Sequence, residues 1–196
     1  MARCWWSDSD ALYRPYHDLE WGRPVADDSR LFEKLVLEGF MSGLSWLTIL
    51  RKRENFRVAF RGFDPAQVAR FGARDAKRLM NDAGIVRNRA KIDATINNAR
   101  RYAELVEEFG SFAAYVWGYA PKPRRKLLER DELMRLTTSD EAVAMSKDLR
   151  RRGWGFVGPT TVYSFMQAMG LVNDHIRGCA AGAEVQRLRR EFVPPA

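Results

Sequence analysis

Residues 150–170 read RRRGWGFVGPTTVYSFMQAMG, and this stretch decides the fold class. A basic segment ends at Gly153, and the chain then turns through Gly155 and Gly158 before a proline. Glycine favours tight turns, and proline is well suited to the first position of a helix. The stretch therefore predicts a helix, a tight glycine hairpin and a second helix. The apolar face of the second helix would consist of Val162, Phe165, Met166 and Met169.

A glycine hairpin of this kind is suited to binding phosphate. Glycines let the backbone approach a partner closely, and the first amides of the new helix point outward without a partner. Gly155, Gly158 and Thr160 are therefore candidate contacts to a DNA backbone, independent of base sequence. The alternative is an ordinary connection between helices. The arginines at 150–152 and the positive net charge favour the first interpretation.

Helix signals continue through most of the chain. Residues 27–29 and Asp64, which precedes a proline, supply helix caps, and Gly39 is expected to end a helix. Thr138 and Glu141 have the spacing of a capping box. Because alternating strand patterns are scarce, the predicted fold is all-α. The apolar spacing predicts helices within 27–39, 64–71, 87–110 and 138–153.

Composition and charge limit the possible functions. The hydrophobic content of 46% suits one domain spanning residues 1–196 and excludes a disordered chain. Segment 118–132, with its prolines and cations, is expected to be an exposed loop. No membrane span or signal peptide is apparent, so a cytoplasmic protein without a membrane partner is expected. The net charge of +8 indicates nucleic acid, an anionic membrane surface, or simply an arginine-rich soluble protein.

The ligand-type residues form two close pairs. Cys4 and His17 lie near one end of the chain, and His175 and Cys179, four residues apart, lie near the other. Two thiolates and two imidazoles make a closed tetrahedral set for a structural zinc ion. The alternative is two buried thiols and two unrelated histidines. A disulfide is disfavoured by the expected reducing compartment.

Several longer motifs together resemble one family. RCWW, LYRPYHDLEWG, GLSWLTILRKRENF, DAGIVRNRAKI and YSFMQAMGLVNDH occur in the family's order between residues 3 and 179. The chain resembles 3-methyladenine DNA glycosylase I, the Tag family, of the helix-hairpin-helix DNA glycosylase superfamily. The resemblance implies two helical lobes with a base pocket between them, double-stranded alkylated DNA as partner, and zinc on the two Cys/His pairs. A monomer is expected.

The resemblance also implies roles for the pocket residues. Tyr13, Tyr16, Trp21 and Trp46 would stack on a flipped-out, cationic 3-methyladenine, where each ring contributes about 1 kcal/mol of cation–π attraction. Glu38 would be the catalytic pocket carboxylate and would accept hydrogen bonds from the edge of the base. On the alternative interpretation, the rings belong to the core and Glu38 is a surface acid at a helix end.

The mechanism implied is monofunctional hydrolysis that leaves an abasic site. Asn173 stands where the wider superfamily has a catalytic aspartate, and the hairpin has no lysine for a Schiff base. The side chain of Leu44, on a turn hinged at Gly43, is expected to enter the gap left by the flipped base. A core position is the alternative for Leu44.

One departure from the family concerns the pocket. Phe40 and Met41 replace a segment that commonly carries glutamine, and a thioether cannot make the hydrogen bonds of an amide. This change leaves two alternatives to excision of 3-methyladenine. They are a non-catalytic DNA-damage-binding protein and a glycosylase with a shifted lesion preference. The ring of Trp6 is not placed by the sequence.

Overall fold

A computed structural model describes residues 2–195, and its regular elements are helical. Within these residues there is no β-strand, and an isolated parallel bridge joins Ala2 to Cys179. The all-α prediction is therefore confirmed. A 3-10 turn occupies Arg61–Phe63. The α-helices are α1 (Tyr13–Leu19), α2 (Asp28–Met41), α3 (Trp46–Ala59), α4 (Pro65–Val68), α5 (Ala73–Asn81), α6 (Arg89–Phe109), α7 (Phe112–Trp117), α8 (Arg130–Met134), α9 (Asp140–Arg151), α10 (Pro159–Ala168) and α11 (Ala180–Glu191).

Two predicted helix boundaries are wrong by a small margin. Helix α2 continues past Gly39 to Met41. The glycine serves close packing instead, since a Cβ there would lie 3.2 Å from Cβ of Phe156 in the hairpin. Helix α9 is capped by Ser139, whose Oγ accepts from the amide of Ala142, and not by Thr138. Serine and threonine are both good caps, so the sequence alone did not decide between neighbours.

The predicted helix-hairpin-helix is present as α9, the turn 152–158 and α10. Helix α6 holds the turn by hydrogen bonds. The Asn98 side chain donates to the carbonyl of Gly155 over 3.0 Å and accepts from its amide over 2.8 Å. Asn97 donates to the carbonyl of Gly153. These bonds fix the backbone of the hairpin without using its outward-facing amides.

Segment 118–132 is only partly the exposed loop that was expected. The Arg124 guanidinium pairs with Asp174, a residue that is 5% exposed, and the Arg124 carbonyl accepts from Gln186 in α11. Helix α8 then begins at Arg130. The C-terminal basic residues are likewise not simply solvated, because Arg189 donates to the carbonyl of Leu171. Both segments are anchored to the C-terminal part of the fold.

No helix among residues 2–195 is both long and apolar enough to cross a membrane.

Gly155 and Gly158 of the hairpin should respond differently to alanine. A Cβ at Gly155 would lie 2.9 Å from Cβ of Ala94, so Gly155→Ala should lower the free energy of unfolding by about 1–3 kcal/mol. At Gly158 a Cβ would have no atom within 4 Å, and φ is −63°. Gly158→Ala should therefore change stability by less than about 0.5 kcal/mol. Urea denaturation measures both, and equal effects would contradict the packing described.

Candidate functional site

A cavity of about 290 Å³ lies between residues near the N-terminus and residues of the C-terminal half. The five predicted pocket residues, Tyr13, Tyr16, Trp21, Glu38 and Trp46, all line it. The structure therefore brings together side chains that are up to 33 positions apart in the sequence, from Tyr13 to Trp46. The other lining residues are Trp5, Trp6, Met41, Leu133, Ser164, Gln167 and Asp174.

Trp6, which the sequence did not place, is at the centre of the aromatic wall. Its ring centroid lies 5.3 Å from that of Tyr13 and 5.1 Å from that of Trp21, both edge to face. Tyr16 and Trp46 form a second pair at 5.4 Å. Edge-to-face contacts fix the orientation of rings, so the wall presents defined π faces and edges to the cavity.

Glu38 is buried, with 3% of its surface exposed, so it is not a surface acid. Its Oε1 lies 2.7 Å from Nζ of Lys34, one helical turn earlier in α2. The same ammonium donates to the Tyr16 hydroxyl over 2.9 Å. The sequence interpretation missed Lys34, although its i, i+4 spacing from Glu38 could have signalled the pair. Burial lowers the pKa of Lys34 to about 8, and Glu38 opposes that change.

Two polar atoms of the pocket residues are buried without a hydrogen-bond partner among residues 2–195. They are Oε2 of Glu38 and Nε1 of Trp46. A buried polar atom left unpaired costs roughly 1–3 kcal/mol. Glu38 and Trp46 both line the cavity, and each has one polar atom without a partner among the described residues.

Asn173 and Asp174, in the segment VNDH (residues 172–175), have different surroundings. Asn173 donates to the carbonyl of Gly182 over 3.0 Å and to Gln186, so it connects to α11 and does not line the cavity. Its neighbour Asp174 does line the cavity. Asp174 accepts from the Tyr163 hydroxyl, from the Gln167 amide and from Arg124. Three donors therefore occupy this carboxylate.

Of the two residues that depart from the family pattern, only Met41 lines the cavity. Phe40 is 1% exposed and packs 4.7 Å from Phe56 in the core, ring centroid to ring centroid. A change of pocket chemistry at these positions therefore comes from Met41 alone.

The four Cys and His side chains converge on one point. Their ligand atoms all lie within 4.8 Å of one another, and all four residues are buried. Nδ1 of His175 is 3.2 Å from Nε2 of His17 and 3.5 Å from Sγ of Cys179. Sγ of Cys4 is 3.6 Å from the same Nδ1. The cluster could hold a metal ion.

The protonation of the two imidazoles favours that use. His17 Nδ1 lies 2.7 Å from an Asp18 carboxylate oxygen, and His175 Nε2 lies 3.2 Å from the Trp21 carbonyl. Both oxygens accept, so these nitrogens carry the protons and lone pairs face the cluster. The nearby Cys4 thiol lowers the pKa of Cys179 and so favours its thiolate.

The predicted DNA contacts lie on exposed turns. Gly43 has φ of +78°, a conformation that favours glycine, and Leu44 after it is 45% exposed, so Leu44 is not a core residue. The Lys91 ammonium donates to the carbonyls of Phe40 and Ser42 and so holds the end of α2.

The hairpin is exposed at its C-terminal side. Thr160 is exposed, and nothing lies within 4 Å of where a Cβ of Gly158 would be. Gly155 instead packs against α6. Of the arginines at 150–152, Arg151 pairs with Asp148 and Arg152 with Asp148 and Glu108, so the flanking positive charge is smaller than expected.

Sequence similarity places this chain in a known protein family. The model of the methyladenine glycosylase family matches residues 5–182, and the chain belongs to this family. It is 48% identical over 180 residues to DNA-3-methyladenine glycosylase 1 of Escherichia coli strain K12, covering 91% of this chain and 96% of that protein.

Solved structures agree. The crystal structure of 3-methyladenine DNA glycosylase I (TAG) superposes with a TM-score of 0.86 at 45% identity, covering 91% of this chain and 98% of that one. A tyrosine-to-phenylalanine variant of such an enzyme, in complex with 3-methyladenine, gives 0.87 at 39% identity, with 93% and 98% covered. The resemblance stated from the motifs is confirmed.

Asp174 should prove a stabilising residue of the pocket wall. Asp174→Asn removes the charge that pairs with Arg124 and replaces an acceptor with a donor facing Tyr163 or Gln167. We expect the free energy of unfolding to fall by about 1–3 kcal/mol. Thermal unfolding followed by circular dichroism measures this change, with Asp131→Asn on exposed α8 as control. Equal stability of the two variants would contradict the role described.

Proposed function

We propose that this protein is a DNA-repair N-glycosylase that flips 3-methyladenine out of alkylated DNA and hydrolyses its N-glycosidic bond. The carrying observation is the aromatic cavity that contains a buried carboxylate with one unfilled oxygen, Oε2 of Glu38. The relatives named 3-methyladenine glycosylases, one of them in complex with 3-methyladenine, support the same substrate.

The proposed chemistry needs little from the protein beyond binding. Methylation at position 3 leaves a cationic adenine whose glycosidic bond is already weak. Tyr13, Tyr16, Trp21 and Trp46 supply π faces that favour such a ring, and Glu38 supplies negative charge at its edge. As the bond between C1′ and the base breaks, the bonding electrons neutralise the base. Water then adds to C1′ and loses a proton to solvent.

A monofunctional reaction fits this arrangement. Asn173 is turned towards α11, and the Asp174 carboxylate is occupied by three donors, so neither is free to activate water. The turn 152–158 contains no lysine that could attack the sugar. We therefore assign Glu38 as the catalytic residue and an abasic site as the product.

DNA would be held from two exposed turns. The backbone of Gly158 and Thr160 is suited to binding phosphates, because the first-turn amides of α10 have no carbonyl in a preceding turn. Gly155 would act indirectly, because Asn98 bonds both its amide and its carbonyl and so fixes the turn. Leu44, exposed after the left-handed Gly43, would fill the gap in the base stack.

We infer one domain with two helical lobes and the pocket between them, acting as a monomer. Residues 5–46 supply one wall of the cavity and residues 133–174 the other. A single chain thus supplies every lining residue, and no second copy is needed to complete the pocket.

We also infer that the buried cluster binds a structural zinc ion. A tetrahedral site with ordinary zinc–ligand lengths has ligand atoms about 3.3 Å apart for two nitrogens and about 3.6 Å apart for nitrogen and sulfur. Here the two nitrogens are 3.2 Å apart and three of the four nitrogen–sulfur pairs are 3.5–3.6 Å apart, with all ligand atoms within 4.8 Å of one another. Two lone pairs at 3.2 Å would repel each other unless a cation lay between them. Cys4, His17, His175 and Cys179 would hold zinc, which would link the two ends of the chain.

A shifted lesion preference is the second candidate function. The observation that favours it is the thioether of Met41 in the cavity wall, in a segment that commonly carries glutamine in the family. The same excision assay distinguishes it, because it measures each methylated base separately.

The excision assay tests the main proposal. The wild-type protein should release mainly 3-methyladenine from DNA treated with a methylating agent. Glu38→Gln should reduce the single-turnover rate by about 10²-fold. Trp46→Ala should reduce it by roughly 10- to 100-fold through lost stacking. Chromatography of the freed bases measures both effects.

Glu107→Gln is the matched control, because Glu107 is exposed and forms no ion pair among the described residues. Full rates in folded Glu38→Gln and Trp46→Ala proteins would refute the assigned roles. No release by a folded wild-type protein that binds DNA would instead favour a non-catalytic DNA-damage-binding protein.

Removal of zinc should destabilise the fold without removing pocket side chains. Elemental analysis should find one zinc ion per chain. Dialysis against a strong chelator should lower the melting temperature, and added zinc should restore it. Cys179→Ser should lose the metal and show no response to the chelator. A metal-free protein whose melting temperature is unaffected by zinc would contradict this assignment.

A further inference from the structure

Lys34 is a buried cation beside the pocket that the proposed reaction does not use. The residue is 5% exposed. Its ammonium lies 2.7 Å from Oε1 of Glu38, donates to the Tyr16 hydroxyl over 2.9 Å, and lies 3.1 Å from the centroid of the Trp46 ring. An ammonium has three protons, and here a carboxylate, a hydroxyl and a ring face are available to accept them. Lys34 therefore contacts three of the side chains that line the cavity.

These contacts determine which further hydrogen bonds Tyr16 and Glu38 can make. Because the Tyr16 oxygen accepts a proton from Lys34, the hydroxyl hydrogen is directed elsewhere, and no residue among 2–195 accepts it. Tyr16 is therefore available as a donor. Because Oε1 of Glu38 is held by the ammonium, Oε2 is left as the acceptor without a partner.

The donor on Tyr16 and the acceptor on Glu38 match the hydrogen-bonding edge of adenine better than that of guanine. Adenine presents N7 as an acceptor and its N6 amino group as a donor, whereas guanine presents two acceptors, N7 and O6. The Tyr16 hydroxyl can donate to N7 while Glu38 accepts from N6. With guanine, O6 would oppose the carboxylate, leaving two buried acceptors unpaired.

We propose that Lys34 is a positioning residue that sets this hydrogen-bond polarity and so selects 3-methyladenine over 3-methylguanine. The inference rests on the proposed function and adds to it the determinant of base choice. Lys34 also balances the charge of Glu38, so the pair is neutral overall and selection comes from hydrogen-bond direction as well as from attraction to a cation. The other charged groups nearby, Arg53 and Glu20, pair with each other over 2.6 Å.

The groups around Lys34 favour its charged form at neutral pH. Burial lowers the pKa of Lys34 only to about 8 because Glu38 opposes the effect, so the ammonium predominates at pH 7. In this form it keeps all three contacts.

The test measures binding of two free bases, 3-methyladenine and 3-methylguanine, by quenching of tryptophan fluorescence. The ratio of the two dissociation constants is the readout. Lys34→Met keeps the side-chain stem and removes the ammonium, and we expect the preference for 3-methyladenine to fall at least about tenfold. Lys34→Gln should lower it as well. Lys77→Met, on the exposed face of α5, controls for loss of one positive charge and should keep the wild-type ratio.

A double-mutant cycle separates positioning from general stability. In a Tyr16→Phe protein, the Lys34→Met substitution should change the ratio less, because the hydroxyl that Lys34 orients is missing. A wild-type ratio in folded Lys34→Met, or an equal change with and without the Tyr16 hydroxyl, overturns the proposal. If neither Lys34 variant folds, Tyr16→Phe alone must lower the ratio, and an unchanged ratio overturns it.

The proposed function is tested separately by release of bases from methylated DNA. Release by the wild type together with an unchanged ratio in Lys34→Met would refute the role of Lys34 alone. A changed ratio without any release would support Lys34 and refute the glycosylase activity.

Discussion

The convergence of Cys4, His17, His175 and Cys179 constrains the rest of the site. Their ligand atoms come from the two ends of the chain and meet within 4.8 Å, with two nitrogen lone pairs directed at each other. Such a group could hold a metal ion, which would place a positive charge between these atoms. The aromatic wall is attached directly to it, since the rings of Trp6 and His17 lie 5.2 Å apart and those of Trp21 and His175 4.6 Å apart. The shape of the pocket therefore depends on this cluster.

Lys34 and Glu38 form a buried pair of opposite charges at the pocket. Two charges taken out of water lose hydration that their attraction repays only when the remaining hydrogen bonds are satisfied. Lys34 satisfies its donors completely, whereas Glu38 keeps one oxygen without a partner. The free protein bears that cost, and in the proposed complex a base that donates a hydrogen bond to Glu38 would remove it. The unsatisfied atom would thus contribute to binding.

Helix α6 holds both of the turns that are proposed to contact DNA. Asn97 and Asn98 hold the glycine hairpin, and Lys91 from the same helix holds the turn that leads to Leu44. One rigid element therefore sets the distance between the turn that would bind phosphate and the side chain that would enter the duplex.

The sequence by itself determined the helical fold class, the hairpin and the four ligand residues, because helical periodicity, glycine turns and residue chemistry are local properties. Its motifs also identified the family and five pocket residues. The error at Gly39 arose because this glycine serves close packing against Phe156, and the error at Thr138 arose because capping preference does not separate adjacent threonine and serine.

Only the tertiary structure decided what depends on distant neighbours. It placed Trp6 among the pocket rings, Phe40 in the core, and Asp174 rather than Asn173 on the cavity wall. It also gave Lys34 its contacts, which come from α1, α2 and α3 together. A buried charge is defined by every group around it, and that surrounding exists only once the chain has folded.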